Sequence, residues 1–148
     1  MRLADALDGV KLLGFDTAPL IYLVEAHPHY GEIMMEIVRQ MTAGRLNGIT
    51  SVVSRGEVLV QPMIRGEVFL QRRFRQVLLR STGFRTVDID VTAAELAARR
   101  RATHGMRLPD ALQIAVALRE GCEAFLTNDR RLRRVTELRV LLLDDLEM

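Results

Sequence analysis

Short apolar runs of strand length alternate along this chain with segments of helical period, and that order most constrains its fold. The runs are Lys11–Phe15, Asn47–Val53, Phe84–Ile89, Ala124–Thr127 and Arg139–Leu143. Between the first two, Thr17 and Pro19 open the apolar stretch Leu20–Val24. Ile33, Ile37, Val38 and Met41 then recur at helical spacing. Strands separated by helices pair in parallel through right-handed crossovers, with helices covering both faces of the sheet. The expected architecture is an α/β three-layer α/β/α sandwich around a central, mostly parallel sheet of about four to five strands.

The second half of the chain keeps this rhythm. Ser54–Ile64 reads as a helix interrupted by Pro62, and Leu70, Phe74, Val77 and Leu78 mark the second arm of a helical hairpin. Val91–Thr103 has helical propensity, and Leu108–Glu120 is apolar almost all round, as in a buried helix. A basic turn, Asp129–Arg134, separates the last two strands.

Composition narrows the class. A chain of 148 residues, 49% hydrophobic, is expected to bury one core as a single domain over residues 1–148. No apolar run approaches the ~20 residues of a membrane span, and the N-terminus lacks a leader pattern, so a cytoplasmic protein without membrane contact is expected. The lone Cys122 excludes an intramolecular disulfide and a cysteine metal site, and reads as a small buried side chain. Of the 21 basic residues only Lys11 is lysine. Arginine suits bidentate phosphate contacts, although a bias toward arginine codons explains the count equally well.

Four acids hold related positions. Asp16 ends the first strand, Glu57 lies in the helix entered from the second, and Asp129 follows the fourth. Asp110 opens a helix that starts at the same sheet edge. In open parallel sheets the crevice forms outside the strands' carboxyl ends, so these acids can meet there. Three also have a capping explanation: Pro109-Asp110 suits a first helical turn, Ser54 with Glu57 matches a capping box, and Asn128-Asp129 resembles an N-cap, whereas Asp16 directly after a central apolar strand is harder to dismiss. Capping does not require four acids to converge. Converging carboxylates repel unless a cation joins them, and an all-oxygen set favours Mg²⁺ or Mn²⁺ over zinc. His27 and His29 have no third partner nearby in sequence, so a zinc site there is set aside.

These segments resemble the PIN domain family, particularly its VapC-like toxins, across nearly the whole chain. Gly14-Phe15-Asp16-Thr17-Ala18-Pro19 is similar to the family's opening strand and first acid, and Ser54-Arg55-Gly56-Glu57 to its second motif. Leu108-Pro109-Asp110-Ala111-Leu112-Gln113 resembles the third motif and Phe125-Leu126-Thr127-Asn128-Asp129 the fourth. Arg131 and Leu132 depart from the pattern, since many relatives carry a further acid and then an aromatic residue there. That departure leaves one or two metals open. Gly56 is a further departure, being unusual inside a helix.

The resemblance implies a metal-dependent endoribonuclease acting on single-stranded RNA, the toxin of a toxin–antitoxin pair. Asp16, Asp110 and Asp129 would bind Mg²⁺ or Mn²⁺, with Glu57 completing the catalytic set. Thr17, Thr127, Asn128, Arg130 and Arg131 would support ligands or substrate. It also implies a homodimer and a cognate antitoxin, whose surface is sought between Ser54 and Ser81. Arg72, Arg73, Arg75 and Arg80 on one helix, and Arg130, Arg131, Arg133 and Arg134 beside Asp129, are candidate RNA contacts. Two rivals remain: a non-catalytic PIN-like module that binds RNA or protein, and a DNA-directed nuclease with the same metal site.

Overall fold

A computed structural model describes residues 1–148. The elements are α1 (Leu3–Ala6), β1 (Leu12–Phe15), α2 (Thr17–Val24), α3 (Gly31–Thr42), β2 (Asn47–Ser51), α4 (Val52–Ile64) and α5 (Val68–Arg80). There follow β3 (Phe84–Val87), α6 (Val91–His104), α7 (Leu108–Arg119), β4 (Ala124–Thr127) and β5 (Arg139–Leu142). Short 3-10 turns cover Arg130–Arg134 and Leu143–Asp145. The five strands are all parallel, in the order β3-β2-β1-β4-β5.

Side-chain alternation on the strands divides the interior in two. Leu13, Phe15, Ala124 and Leu126 face a layer that includes α2, α3, α4 and α5. Ile49 and Phe125 point the other way, onto α6 and α7. The three-layer α/β/α arrangement expected from the strand–helix alternation is therefore present, with a sheet wholly rather than mostly parallel.

The chain runs outward from β1 to β3, then crosses to the other side of β1 for β4 and β5. The strand order thus reverses between β1 and β4, whose carboxyl ends lie side by side: Phe15 registers with Leu126, and the Asp16 N–H donates to the Leu126 carbonyl at 2.9 Å. This is where a parallel sheet opens a crevice. Gly14 lets α7 close on it. A Cβ there would lie 2.8 Å from Phe125 Cδ2 and 3.2 Å from the Ala117 methyl, so only glycine allows that approach.

Three local readings need correction. β2 ends at Ser51, and Val52 and Val53 begin α4, because the Ser51 hydroxyl accepts the Val53 N–H at 3.2 Å and caps the helix. Ser54 is consequently a buried interior residue, and the capping box with Glu57 does not form. Pro62 does not interrupt α4 either. It sits near the helix end with its ring buried, where losing one backbone bond is offset by packing, and its carbonyl accepts the Glu67 N–H at 2.8 Å. Cys122 is buried as expected, and burial pushes its thiol up to about 12.

Candidate active site

All four acids line one open cavity of about 570 Å³ at the β1/β4 crevice, together with Thr17, Tyr22, Arg107, Asn128 and Arg130. Asp16 is the N-cap of α2 and Asp129 the N-cap of the following 3-10 turn, while Asp110 lies in the first turn of α7 behind Pro109. Capping and site placement therefore coincide at two positions.

Asp16 is the most constrained of the set. Its Oδ1 accepts the Thr17 N–H at 2.8 Å, and its Oδ2 accepts the Thr127 hydroxyl at 2.6 Å. The Thr127 oxygen in turn accepts the Asp129 N–H at 3.0 Å, so β4 and β1 are tied at their ends through one hydroxyl. Burial raises the Asp16 pKa against these hydrogen bonds, and the charges of Glu57 and Asp129 raise it further. Asp110 is raised likewise, by burial and then by the charge on Asp16, with Arg107 opposing. Facing carboxylates that are held partly desolvated form a site that favours a cation.

Glu57 is placed by a buried polar chain running beneath the cavity. The Thr17 hydroxyl donates to Glu57 Oε1 at 2.8 Å and lies 3.1 Å from the Ser54 hydroxyl. Gln113, one turn after Asp110 and 3% exposed, sends its amide N–H to Ser54 at 2.6 Å and accepts the Ser51 hydroxyl at 2.5 Å. Thr50 joins, 2.8 Å from both Ser54 and the Phe15 carbonyl. A carboxylate, a carbonyl and an amide oxygen only accept, so Thr17 must donate to Glu57, Thr50 to Phe15 and Ser51 to Gln113. Ser54, which accepts from Gln113, then has one proton to give, and either Thr17 or Thr50 can accept it.

Asp129 differs from the others. Arg131 holds both its oxygens, and this hydrogen bonding first of all lowers its pKa. As the side chains stand, no three of the molecule's His, Cys, Asp or Glu side chains are grouped to hold one metal ion. The donors still suit a hard divalent cation: oxygen-only, acidic, and raised in pKa at Asp16 and Asp110 by burial first and then by the charge of neighbouring carboxylates. Coordination by Asp129 requires it to turn from Arg131.

Other expected residues lie as follows. Arg130 lines the cavity and pairs with Asp144 at 3.6 Å, and the Asn128 side-chain oxygen Oδ1 accepts the Asp144 backbone N–H at 3.2 Å. Arg133 is engaged by Asp145, outside the cavity lining. Arg107, Tyr22, Ser54, Gln113 and Asp144 were not anticipated. Arg107 directly precedes the Leu108-Pro109-Asp110 motif, and Gln113 is the one polar residue in the otherwise apolar run Ala111–Ala117. Those two signals were available in the sequence.

A sequence profile of the PIN domain matches residues 15–138, from the residue before Asp16 to beyond Asp129. The chain belongs to the PIN domain family. Solved structures carry the same fold as this PIN domain. A toxin–antitoxin complex from Klebsiella pneumoniae is similar at 21% identity and TM-score 0.68, over 88% of this chain and 97% of that chain. VapBC2 from Rickettsia felis, bound to a DNA fragment from its promoter, is similar at 14% identity and TM-score 0.70, over 88% and 98%. VapC20 from Mycobacterium tuberculosis, a sarcin–ricin loop cleaving toxin, is similar at 18% identity and TM-score 0.66, over 86% and 98%. At these identities the likeness speaks to the fold. No curated protein matches the chain.

Proposed function

We propose that this PIN domain is a metal-dependent endoribonuclease that hydrolyses single-stranded RNA as the toxin of a toxin–antitoxin pair. The observation that carries the reading is the convergence of Asp16, Glu57, Asp110 and Asp129 on one open cavity at the sheet's switch point. Asp16, Asp110 and Asp129 would hold Mg²⁺ or Mn²⁺. When bound, such an ion activates a water and neutralises phosphoryl charge.

The chain's own residues supply the rest. Glu57, oriented through Oε1 by Thr17, keeps Oε2 free to orient or deprotonate a water. Thr127 and Thr17 fix Asp16. Arg107 and Arg130, which line the cavity, would hold the RNA phosphates and make binding salt-dependent. Residues 1–148 act as one nuclease domain, in the cytoplasm and as a homodimer. The toxin–antitoxin complexes among the structural relatives support an antitoxin partner. Val60, Met63, Ile64, Val68 and Phe69, exposed on the α4–α5 hairpin, offer it an apolar surface.

The clasp of Arg131 on Asp129 favours one alternative, a PIN module that binds RNA without cutting it. Incubation of purified protein with single-stranded RNA or DNA, in Mn²⁺, Mg²⁺ or EDTA, separates the readings. RNA cut only with metal supports the proposal. Binding without cleavage under every condition favours the module, and cleavage of DNA alone makes the protein a DNA-directed nuclease.

A further inference from the structure

The chain has ten phenylalanine, tyrosine and histidine rings and no tryptophan. Four of the five phenylalanines are buried. Both tyrosines and two of the three histidines instead gather in one strip, where the turn from α2 to α3 meets the catalytic cavity. Tyr22 and Tyr30 stack at 4.9 Å between ring centroids, His27 stacks on Tyr30 at 4.8 Å, and Tyr22 and His27 lie 4.7 Å apart. His29 meets Tyr30 edge-on at 4.7 Å. Tyr22 lines the same cavity as the four acids.

The strip is held in a defined orientation. Ala26, at φ +50, takes the left-handed conformation that residues other than glycine seldom adopt, and so turns the chain into His27. The backbone N–H groups of His29 and Tyr30 both donate to His27 Nδ1, at 3.1 and 3.2 Å. That leaves the proton of the neutral ring on Nε2, as an available donor. The Tyr30 hydroxyl donates to Asp144, the same residue that pairs with Arg130 and donates to Asn128 at the cavity rim. Tyr22 and Tyr30 pack one side against the core layer of α2–α5, but unlike Phe15, Phe74 and Phe125 they stay partly open to solvent. None of these four is buried.

We propose that Tyr22, His27, His29 and Tyr30 form a stacking shelf for an unpaired nucleobase of the RNA whose phosphate lies over the carboxylates, which extends the nuclease reading of this cavity. Base–aromatic stacking tolerates any base and needs a partly exposed ring beside a phosphate-binding lip; Arg130 supplies that lip. The shelf thus gives the site a preference for single-stranded substrate. A paired base keeps its faces inside the duplex.

The test measures binding in EDTA, so that it does not depend on cleavage. A short oligoadenylate and a backbone of equal length and charge carrying abasic residues are titrated into wild type, His29→Ala and Tyr22→Leu protein. Because Tyr22 and Tyr30 are the only tyrosines and tryptophan is absent, tyrosine emission, corrected for absorption by the ligand, reports on the shelf alone. The expected result is quenching by oligoadenylate and not by the abasic chain. Affinity should fall about fivefold or more in each variant, within the range of one lost stack, with the variants' melting temperatures showing that they fold. Equal affinity for both ligands, with tyrosine emission unchanged, would overturn the shelf while leaving the nuclease reading intact. Base-dependent quenching by a protein that never cuts RNA would keep the shelf and end the nuclease reading.

Discussion

The Arg131 guanidinium grips the Asp129 carboxylate through Nε, at 2.9 and 3.1 Å from its two oxygens, and through Nη2 at 2.7 Å. Arg131 occupies the place where many PIN relatives carry a further acid, so a fixed cation stands where a ligand would be expected. On the proposed reading a metal would compete with it for Asp129. Arg131→Gln should therefore tighten Mn²⁺ binding measured by calorimetry. It should also return the Asp129 titration toward the ordinary carboxylate range, since hydrogen bonding from Arg131 is the main cause lowering it. In the wild type the ionised form of Asp129 is stabilised in the fold, a contribution present above its unfolded pKa and lost as pH falls through the lowered one. Unchanged Mn²⁺ affinity in the variant would show that Arg131 does not compete.

Asp16 has the opposite sign. Burial and facing charge raise its pKa in the fold, so its ionisation opposes folding once the pH exceeds the unfolded value. Asp16→Asn should abolish activity and at the same time raise the melting temperature at neutral pH. The gain should shrink as pH is lowered through the ordinary carboxylate range, where the wild-type side chain is itself neutral. A variant less stable than wild type at neutral pH would show that hydrogen bonds from Thr17 and Thr127 outweigh the desolvation.

Much of this arrangement was legible in the sequence, because it rests on period and on single residues at strand ends. Strand–helix alternation led to the parallel three-layer fold, and Asp16, Asp110 and Asp129 could be placed at one sheet edge from their positions after Phe15, Pro109 and Asn128. What escaped depended on side chains meeting across the fold. Ser54 read as a cap because serine before a helical run usually is one; only the position of Gln113 on α7 shows it to be a buried relay. The Arg131 clasp is a choice of side-chain rotamer, which sequence spacing does not specify. The aromatic strip needed the α2–α3 turn, whose left-handed Ala26 has no sequence signal.

Gln113 offers a test of how Glu57 is positioned. Gln113→Leu leaves the Ser51 and Ser54 hydroxyls short of partners in the interior, at a cost of about 1–3 kcal/mol in urea unfolding. It should lower kcat roughly tenfold to a hundredfold with little change in KM, because Glu57 loses its orientation and no substrate contact is removed. Gln113→Glu keeps the oxygen that accepts from Ser51 but, when ionised, loses the N–H donated to Ser54 and buries a charge, so it should be destabilised at neutral pH and recover stability as pH falls. A loss in KM alone would place Gln113 in substrate binding.

Gly56 lies on an exposed helical turn of α4, and a Cβ there would meet nothing within 4 Å. It serves neither packing nor a special backbone conformation. Gly56→Ala should stabilise the protein by about 0.5–1 kcal/mol. Denaturant titration measures this directly, and a destabilised variant would show that the glycine backbone does have a structural role in α4.

The most direct measurement is the cleavage rate of single-stranded RNA in Mn²⁺ by wild type, Asp16→Asn and Asp110→Asn proteins, each checked for folding. If the four carboxylates form the catalytic centre, each variant loses about a hundredfold or more in rate, and EDTA abolishes the wild-type activity. RNA cleavage that persists at the wild-type rate in either variant would contradict that assignment.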